Sequence, residues 1–224
     1  MINTEAYKNL LQECTTRNVT LVAVSKTKPI SDILELYDLG HRDFGENYVQ
    51  ELIEKEKQLP KDIRWHFIGH LQTNKVKQVV GFVHLIHGVD SLKLLKEVNK
   101  QSEKISKITK CLLQVHIAQE ETKFGLDESE LNVIISEFVP PESGIKMKDV
   151  KICGLMGMAS FTENQDQVRK EFQYLRSLQL KYSNPTLDVK LETLSMGMTA
   201  DYTIAIEEGS NMIRIGSLIF GERN

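Results

Sequence analysis

Eight short β-rich runs, separated by stretches of helical periodicity, constrain this chain more than any other feature of its sequence. The runs fall at residues 20–25, 42–44, 64–68, 84–87, 110–117, 151–156, 189–194 and 212–215, the second being short and weak. Between the first two, Ile33, Leu34, Leu36 and Tyr37 share one helical face, and Gly40 sits where a C′ glycine ends a helix. Ser91 is placed to cap a helix carrying Leu92, Leu95 and Val98. Asp127 is placed to cap another with Leu131, Ile134, Ile135 and Phe138, stopped by Pro140 and Pro141. Val168, Phe172, Leu175 and Leu178 mark a longer helix, and Thr199 is positioned to cap a last one that ends near Gly209. One more helix, over 4–17, precedes the first strand. Strands that alternate with helices pair in parallel through right-handed crossovers. Eight such units predict an α/β fold, a single (β/α)8 TIM barrel with an extra N-terminal helix, formed by residues 1–224 as one domain. The rival is an open doubly wound sheet, but no GxGxxG follows the first strand. No linker, repeat or low-complexity tract divides the chain, and 140–148 reads as its most exposed loop.

Composition narrows the partners. The chain carries 28 basic and 31 acidic residues, a net charge of −3, so it lacks the basic footprint of a nucleic-acid-binding protein. No apolar run approaches the ~18 residues of a membrane span, and the polar segment 1–12 has no signal-peptide pattern. Cys14, Cys111 and Cys153 are too widely spaced for a metal or disulfide framework, which points to a reducing, cytoplasmic setting.

In a barrel, chemistry belongs at the C-terminal ends of the strands. Alternation puts Val22, Val24 and Lys26 on one face, so Lys26 continues a valine stripe into the barrel mouth. A partly desolvated lysine there is a nucleophilic amine suited to a Schiff base. The competitor is Lys28, a less rigid mount because Pro29 follows it; the bland alternative is a solvated lysine. Arg214 interrupts the apolar run of the last strand and requires an acceptor, from a ligand or from a structural ion pair. Gly216 and Ser217 lie just past it, and Ser195 and Gly197 open the loop after the seventh strand. Barrels often bind phosphate with these two loops. His66 is most simply a satisfied core histidine. Asn47 either caps a helix or reaches into the mouth. Met156 and Met158 read as packing, and the lysine-rich stretch 93–110 as a solvated helix face.

Five separated segments, in order, resemble the pyridoxal phosphate homeostasis protein family. They are Ala23-Val24-Ser25-Lys26-Thr27-Lys28-Pro29, Phe44-Gly45-Glu46-Asn47, residues 65–75 beginning Trp65-His66-Phe67, Leu194-Ser195-Met196-Gly197-Met198, and residues 213–221 beginning Ile213-Arg214-Ile215-Gly216-Ser217. The loop 119–125 departs from the family pattern. The resemblance implies a barrel like the N-terminal domain of alanine racemase, with pyridoxal 5′-phosphate held on Lys26 as an aldimine. It implies a phosphate held by Ser195, Gly216 and Ser217 and a pyridine nitrogen facing Arg214, with Asn47 and His66 counted in the same cofactor-binding set. It further implies a protein that buffers the cofactor and delivers it to apo forms of pyridoxal-phosphate enzymes, without turnover.

Two physical points agree with that. Arg214 only donates, so it keeps the ring nitrogen unprotonated and weakens the electron sink. A racemase also needs a second base, which in two-domain racemases the partner subunit's extra domain helps to complete; the sequence runs three residues past Gly221, and no such domain is expected. The alternatives are an amino-acid racemase of the alanine racemase type and a phosphate-sugar aldolase using Lys26. No exposed apolar stripe demands a dimer, so a monomer is expected.

Overall fold

The computed structural model describes residues 2–120, 124–138, 147–183 and 190–222. Helix α1 (Thr4–Thr16) leads into β1 (Thr20–Val24), α2 (Ile30–Asp38), β2 (Asp43–Glu46), α3 (Val49–Gln58) and β3 (Arg64–Phe67). A 3-10 turn (Thr73–Lys75) and the short α4 (Val76–Val79) precede β4 (Leu85–Val89) and α5 (Leu92–Glu103). Then come β5 (Thr109–Gln114), α6 (Glu128–Phe138), β6 (Val150–Met156), α7 (Gln165–Tyr182), β7 (Thr193–Ser195), α8 (Tyr202–Glu207), β8 (Met212–Ile215) and α9 (Ser217–Phe220). The eight strands form a closed barrel in sequence order. Each pairs in parallel with its neighbours, and β8 closes on β1 through Thr20↔Met212, Leu21↔Ile213, Val22↔Arg214 and Ala23↔Ile215. The extra N-terminal helix is present: Asn3 caps α1 by accepting from the Ala6 N–H, and the Asn3 N–H donates to the Ile219 carbonyl at 2.7 Å.

Strand alternation divides the core in two. Leu21, Ala23, Ile213 and Ile215 face the surrounding helices. Val22, Leu85, Leu112, Met156 and Met212 fill the barrel interior, with Cys153 and Met158 packed against them. An inward position on β1 or β8 therefore points into the barrel, and Arg214 follows Met212 on that inner face.

Several local signals hold. The Ser91 hydroxyl accepts from the Leu94 N–H at 3.3 Å. Asp127 accepts from the Glu130 N–H at 2.8 Å while Glu130 accepts from the Asp127 N–H at 3.0 Å, a reciprocal capping box. Gly40 and Gly209 end their helices at φ +92° and +95°.

Other expectations are corrected. The weak second run is a full strand because it pairs on both sides, Ala23↔Phe44 with β1 and Asp43↔Arg64 to Glu46↔Phe67 with β3. The fifth strand ends at Gln114, and Val115 makes only an isolated bridge to Leu126. Thr199 does not cap α8; Asp201 precedes that helix, and its carboxylate accepts from the Met198 N–H at 2.6 Å. Helices α3 and α4 had no sequence expectation. The proposed stop at Pro140 and Pro141, most of the 140–148 loop, and Val189 at the start of the seventh run lie outside the described residues.

The register makes a sharp demand at Gly154, which pairs with Thr193 across β6 and β7. A Cβ at Gly154 would lie 1.8 Å from the Thr193 carbonyl oxygen. Gly154→Ala should destabilise the fold by about 3 kcal/mol, read as a lowered urea midpoint. An unchanged midpoint would show that β6 and β7 have room to separate.

Candidate functional site

A cavity of ≈ 1030 Å³ opens at the C-terminal ends of the strands, with Val24, Lys26, Lys28, Asn47, Ile68, Met158, Thr199, Arg214, Gly216 and Ser217 in its wall. Lys26 is half-buried, two residues beyond β1, and its mount is rigid. Thr27 sits at φ +63°, a conformation that a β-branched residue adopts only under constraint. Its N–H donates to Glu51 at 2.6 Å. Beneath, Lys55 is buried and donates to the Ser25 carbonyl at 2.7 Å, to Glu46 at 2.7 Å and to Glu51 at 2.6 Å. The Ser25 hydroxyl donates to the same Glu46 oxygen. Burial pushes the Glu46 carboxyl up, opposed by Lys55, whose ammonium favours the ionised form. This ion cluster fixes the loop that carries Lys26.

Lys28 is disposed differently. Its Nζ donates to the carbonyls of Phe220, Gly221 and Glu222 at 2.8, 3.2 and 3.0 Å, so its charge meets the C-terminal end of α9.

Arg214 forms part of the cavity floor and is only 4% exposed. Nη1 donates to the Ser195 carbonyl at 2.8 Å and to the Ser195 hydroxyl at 2.7 Å, and Nη2 to the Gly157 carbonyl at 3.1 Å. Burial lowers its pKa to about 10, which leaves it charged at neutral pH. In the exposed part of the cavity wall, the Ser217 hydroxyl donates to the Thr199 hydroxyl at 3.3 Å. The loop leading to Thr199 is fixed by Gly197 at φ +98°, where a Cβ would lie 2.6 Å from the Ala205 side chain.

The structure thus brings Lys26, Asn47, Arg214, Gly216 and Ser217 to one cavity. Asn47 does not cap α3, whose N-cap is Tyr48, and its buried Oδ1 has no hydrogen-bond partner. His66 and Ser195 are absent from the cavity wall. Ser195 pairs in register with Met212, a layer below Arg214. It is fully buried, and its hydroxyl is shared by Arg214 and His87 Nδ1, the latter at 3.1 Å. His66 lies inside the barrel between His87 and Asp43, at 2.9 and 3.0 Å. Thr199 in the wall and His87 beneath it had no functional sequence expectation. A hydroxyl just before the last helix, and a second histidine within a strand run, were the signals available. On the rim, Phe161 is 94% exposed.

Burial disfavours the charged form of His87, His84 and His41. The His87 ring is pushed well below the usual range, and His84 and His41 down to about 4. Burial alone would raise the Asp43 carboxyl, but hydrogen bonds from Arg64 and His66 hold it well below the usual range. Among the described residues no group of three or more His, Cys, Asp or Glu side chains is arranged to hold a metal ion, and no helix is long and apolar enough to cross a membrane.

A closed parallel barrel with a lysine and a buried arginine at its mouth defines a class. The sequence pattern of the alanine racemase N-terminal domain matches residues 3–224. A pyridoxal phosphate homeostasis protein from Aquifex aeolicus is 41% identical over 204 residues, covering 91% of this chain and 86% of that protein. PipY of Synechococcus elongatus, solved without PLP, superposes with a TM-score of 0.89 at 32% identity, covering 97% of this chain and 99% of that one. The same protein with PLP bound gives 0.82 at 33% identity, covering 91% and 93%. Alanine racemase from Bartonella henselae shares the fold at a TM-score of 0.69 and 14% identity; the match covers 97% of this chain and 59% of the racemase. This chain belongs to the pyridoxal phosphate homeostasis protein family.

The neutral histidines generate a pH prediction. The unfolded chain protonates these rings near pH 6.5, whereas His41 and His84 resist until about 4 in the folded state. The unfolded state therefore binds more protons between those values, and stability falls as pH drops through that window. From pH 7 to 5 the unfolding free energy should fall by on the order of 1–3 kcal/mol per enclosed histidine, measured by urea titration. A pH-independent value would contradict neutral interior rings.

Proposed function

We propose that this chain holds pyridoxal 5′-phosphate in the cavity and acts as a reservoir that releases it to apo forms of pyridoxal-phosphate enzymes, without turning over a substrate. The observation that carries the reading is the placement of Lys26, Arg214 and the Ser217–Thr199 hydroxyl pair around one cavity. The residues fit the cofactor chemically. A primary amine suits its aldehyde, hydroxyls suit its phosphate, and the buried, unpartnered Asn47 Oδ1 can accept from a ligand. When bound, the cofactor supplies an aldehyde carbon with which an amine condenses, releasing water.

Lys26 supplies that amine on a loop that the Glu46–Lys55 ion cluster immobilises. Ser217 and Thr199, with backbone N–H groups past Gly216, hold the phosphate. Arg214 would offer its donors to the ring nitrogen and would leave it unprotonated, a state that supports carbanions poorly. Racemisation needs a base on each face of the substrate, and Lys28 is already engaged by three carbonyls. Ser195 and His66 serve Arg214 from below. The protein acts as a monomer in the cytoplasm, where its three thiols stay reduced.

Borohydride reduction of the loaded protein should fix the cofactor on the peptide containing Lys26, and Lys26→Ala should abolish the adduct while retaining non-covalent binding. An adduct mapping mainly to Lys28 overturns the assignment. Ser217→Ala should weaken binding about tenfold, since a hydrogen bond to a charged group contributes roughly 1.5–3 kcal/mol. Pyridoxal lacking the phosphate should bind more weakly still in titrations followed by absorbance. Steady-state racemisation of alanine at ~1 s⁻¹ or faster by the wild-type protein would replace the reservoir with the racemase.

A further inference from the structure

A chain of hydrogen bonds crosses the barrel interior from the cavity floor to the opposite end. Arg214 Nη1 donates to Ser195 Oγ at 2.7 Å. Ser195 Oγ lies 3.1 Å from His87 Nδ1, His87 Nε2 lies 2.9 Å from His66 Nδ1, and His66 Nε2 lies 3.0 Å from Asp43 Oδ1. Asp43 also accepts from Arg64 Nε at 2.7 Å and from Nη2. The Arg64 side chain is 47% exposed, so the far end of the chain reaches solvent.

The two ends dictate the direction of every bond between them. A guanidinium only donates, and an ionised carboxylate only accepts. Ser195 Oγ therefore accepts from Arg214 and has its own proton to give. His66 must carry a proton on Nε2 to meet Asp43. With both rings neutral, a single arrangement satisfies all the bonds. Ser195 donates to His87 Nδ1, His87 donates from Nε2 to His66 Nδ1, and His66 donates to Asp43. Burial favours the neutral form of His87.

One added proton reverses the middle of this chain. A doubly protonated His66 donates from Nδ1 as well, so His87 Nε2 must become an acceptor. The His87 proton then sits on Nδ1 and points at Ser195 Oγ. That oxygen now faces two donors, His87 and Arg214, and its own proton has lost its acceptor. Asp43 on β2, His84 before β4 and Arg214 on β8 act on the histidine pair, Arg64 on β3 acts on Asp43, Lys110 on β5 acts on His84, and Asp201 acts on Arg214 from the start of α8.

We propose that His87, His66 and Asp43 are positioning residues for the cavity, which set the hydrogen-bond direction beneath Arg214 and reverse it when the histidine pair gains a proton and His66 becomes doubly protonated. The His87 Nε2 proton passes to His66 Nδ1, and the added proton enters at His87 Nδ1, the nitrogen that faces Ser195. The consequence for cofactor affinity rests on the proposed function; the tautomers themselves do not.

The test uses ring-nitrogen NMR of the whole chain without cofactor, from about pH 8 to 5, with His66→Gln and His87→Gln assigning the signals. At pH 8 both rings should be Nε2–H tautomers. As His66 gains its proton, the His87 proton should move to Nδ1 with the same midpoint. Asp43→Asn keeps an acceptor for His66 but removes the charge, and should lower that shared midpoint by about one pH unit or more. An Nδ1–H His87 at pH 8, a His66 that takes up no proton in this range, or a His87 tautomer that ignores His66 overturns the proposal. So does an Asp43→Asn variant that loses thermal stability with the midpoint unmoved, which is what a merely structural role gives. In the second arm, pyridoxal phosphate affinity of the wild-type protein should change about threefold or more across the same midpoint, and His66→Gln should remove that step. An affinity that is flat through the midpoint overturns the link to the cavity. If the wild-type protein binds no pyridoxal phosphate at all, the proposed function falls while the tautomers still decide the interior chain.

Discussion

The parallel pairing of the first and last strands is the constraint on which the rest of this structure depends. β1 and β8 are far apart in sequence, and their pairing closes the barrel around six intervening strands. Such non-local pairing is entropically demanding. The register Val22↔Arg214 then fixes what faces what. Lys26 continues the β1 stripe beyond Val22 and Val24, and Arg214 lies on the neighbouring strand, so both reach one cavity. A one-residue slip of β8 would turn Arg214 outward among the helices.

Buried charge is managed in two ways around that cavity. Lys55 and Glu46 form a direct ion pair at 2.7 Å, completed by the Ser25 carbonyl and Glu51. Desolvating such a pair is costly, and the gain lies in fixing geometry rather than in stability. Here the geometry fixed is the turn at Thr27, and with it Lys26. Arg214 is held instead by two carbonyls and a hydroxyl. It keeps its charge without a bonded carboxylate, so the floor remains cationic toward whatever enters. The hydroxyl is one end of the histidine chain, and the environment of Arg214 is thereby tied to the opposite mouth of the barrel.

Under the proposed function, the same arrangement would separate holding a cofactor from using it. An amine and a set of anion-binding hydroxyls are enough to bind and retain pyridoxal phosphate. Strong carbanion chemistry asks for a protonated ring nitrogen and a second base. In that reading the guanidinium at the floor would oppose the first, and the tethering of Lys28 to the end of α9 would withhold an evident candidate for the second.

Much of this was legible in the sequence. The strand–helix alternation specified a barrel because period-2 and period-3.6 patterns are local properties of the chain. Lys26, Arg214, Gly216 and Ser217 were readable because strand-end positions in a barrel have a known destination. Helix α3 was not signalled, since its buried face includes Lys55, whose burial follows from Glu46 and Ser25 on other elements. Thr199 read as a cap because hydroxyls favour helix starts, yet Asp201 is the residue preceding α8, and Thr199 lines the cavity. Ser195 lies two residues before Gly197 in a loop-like string, and local reading sends both to a phosphate. The pairing Ser195↔Met212 puts the serine one layer deeper, under the guanidinium. Sequence alone determines which face of a strand a side chain takes, because alternation is a property of one strand. Depth within the barrel depends on how neighbouring strands are staggered, and only the closed tertiary structure sets that stagger. For the same reason, only the folded barrel aligns Asp43, His66, His87 and Ser195, drawn from four strands, into one continuous chain.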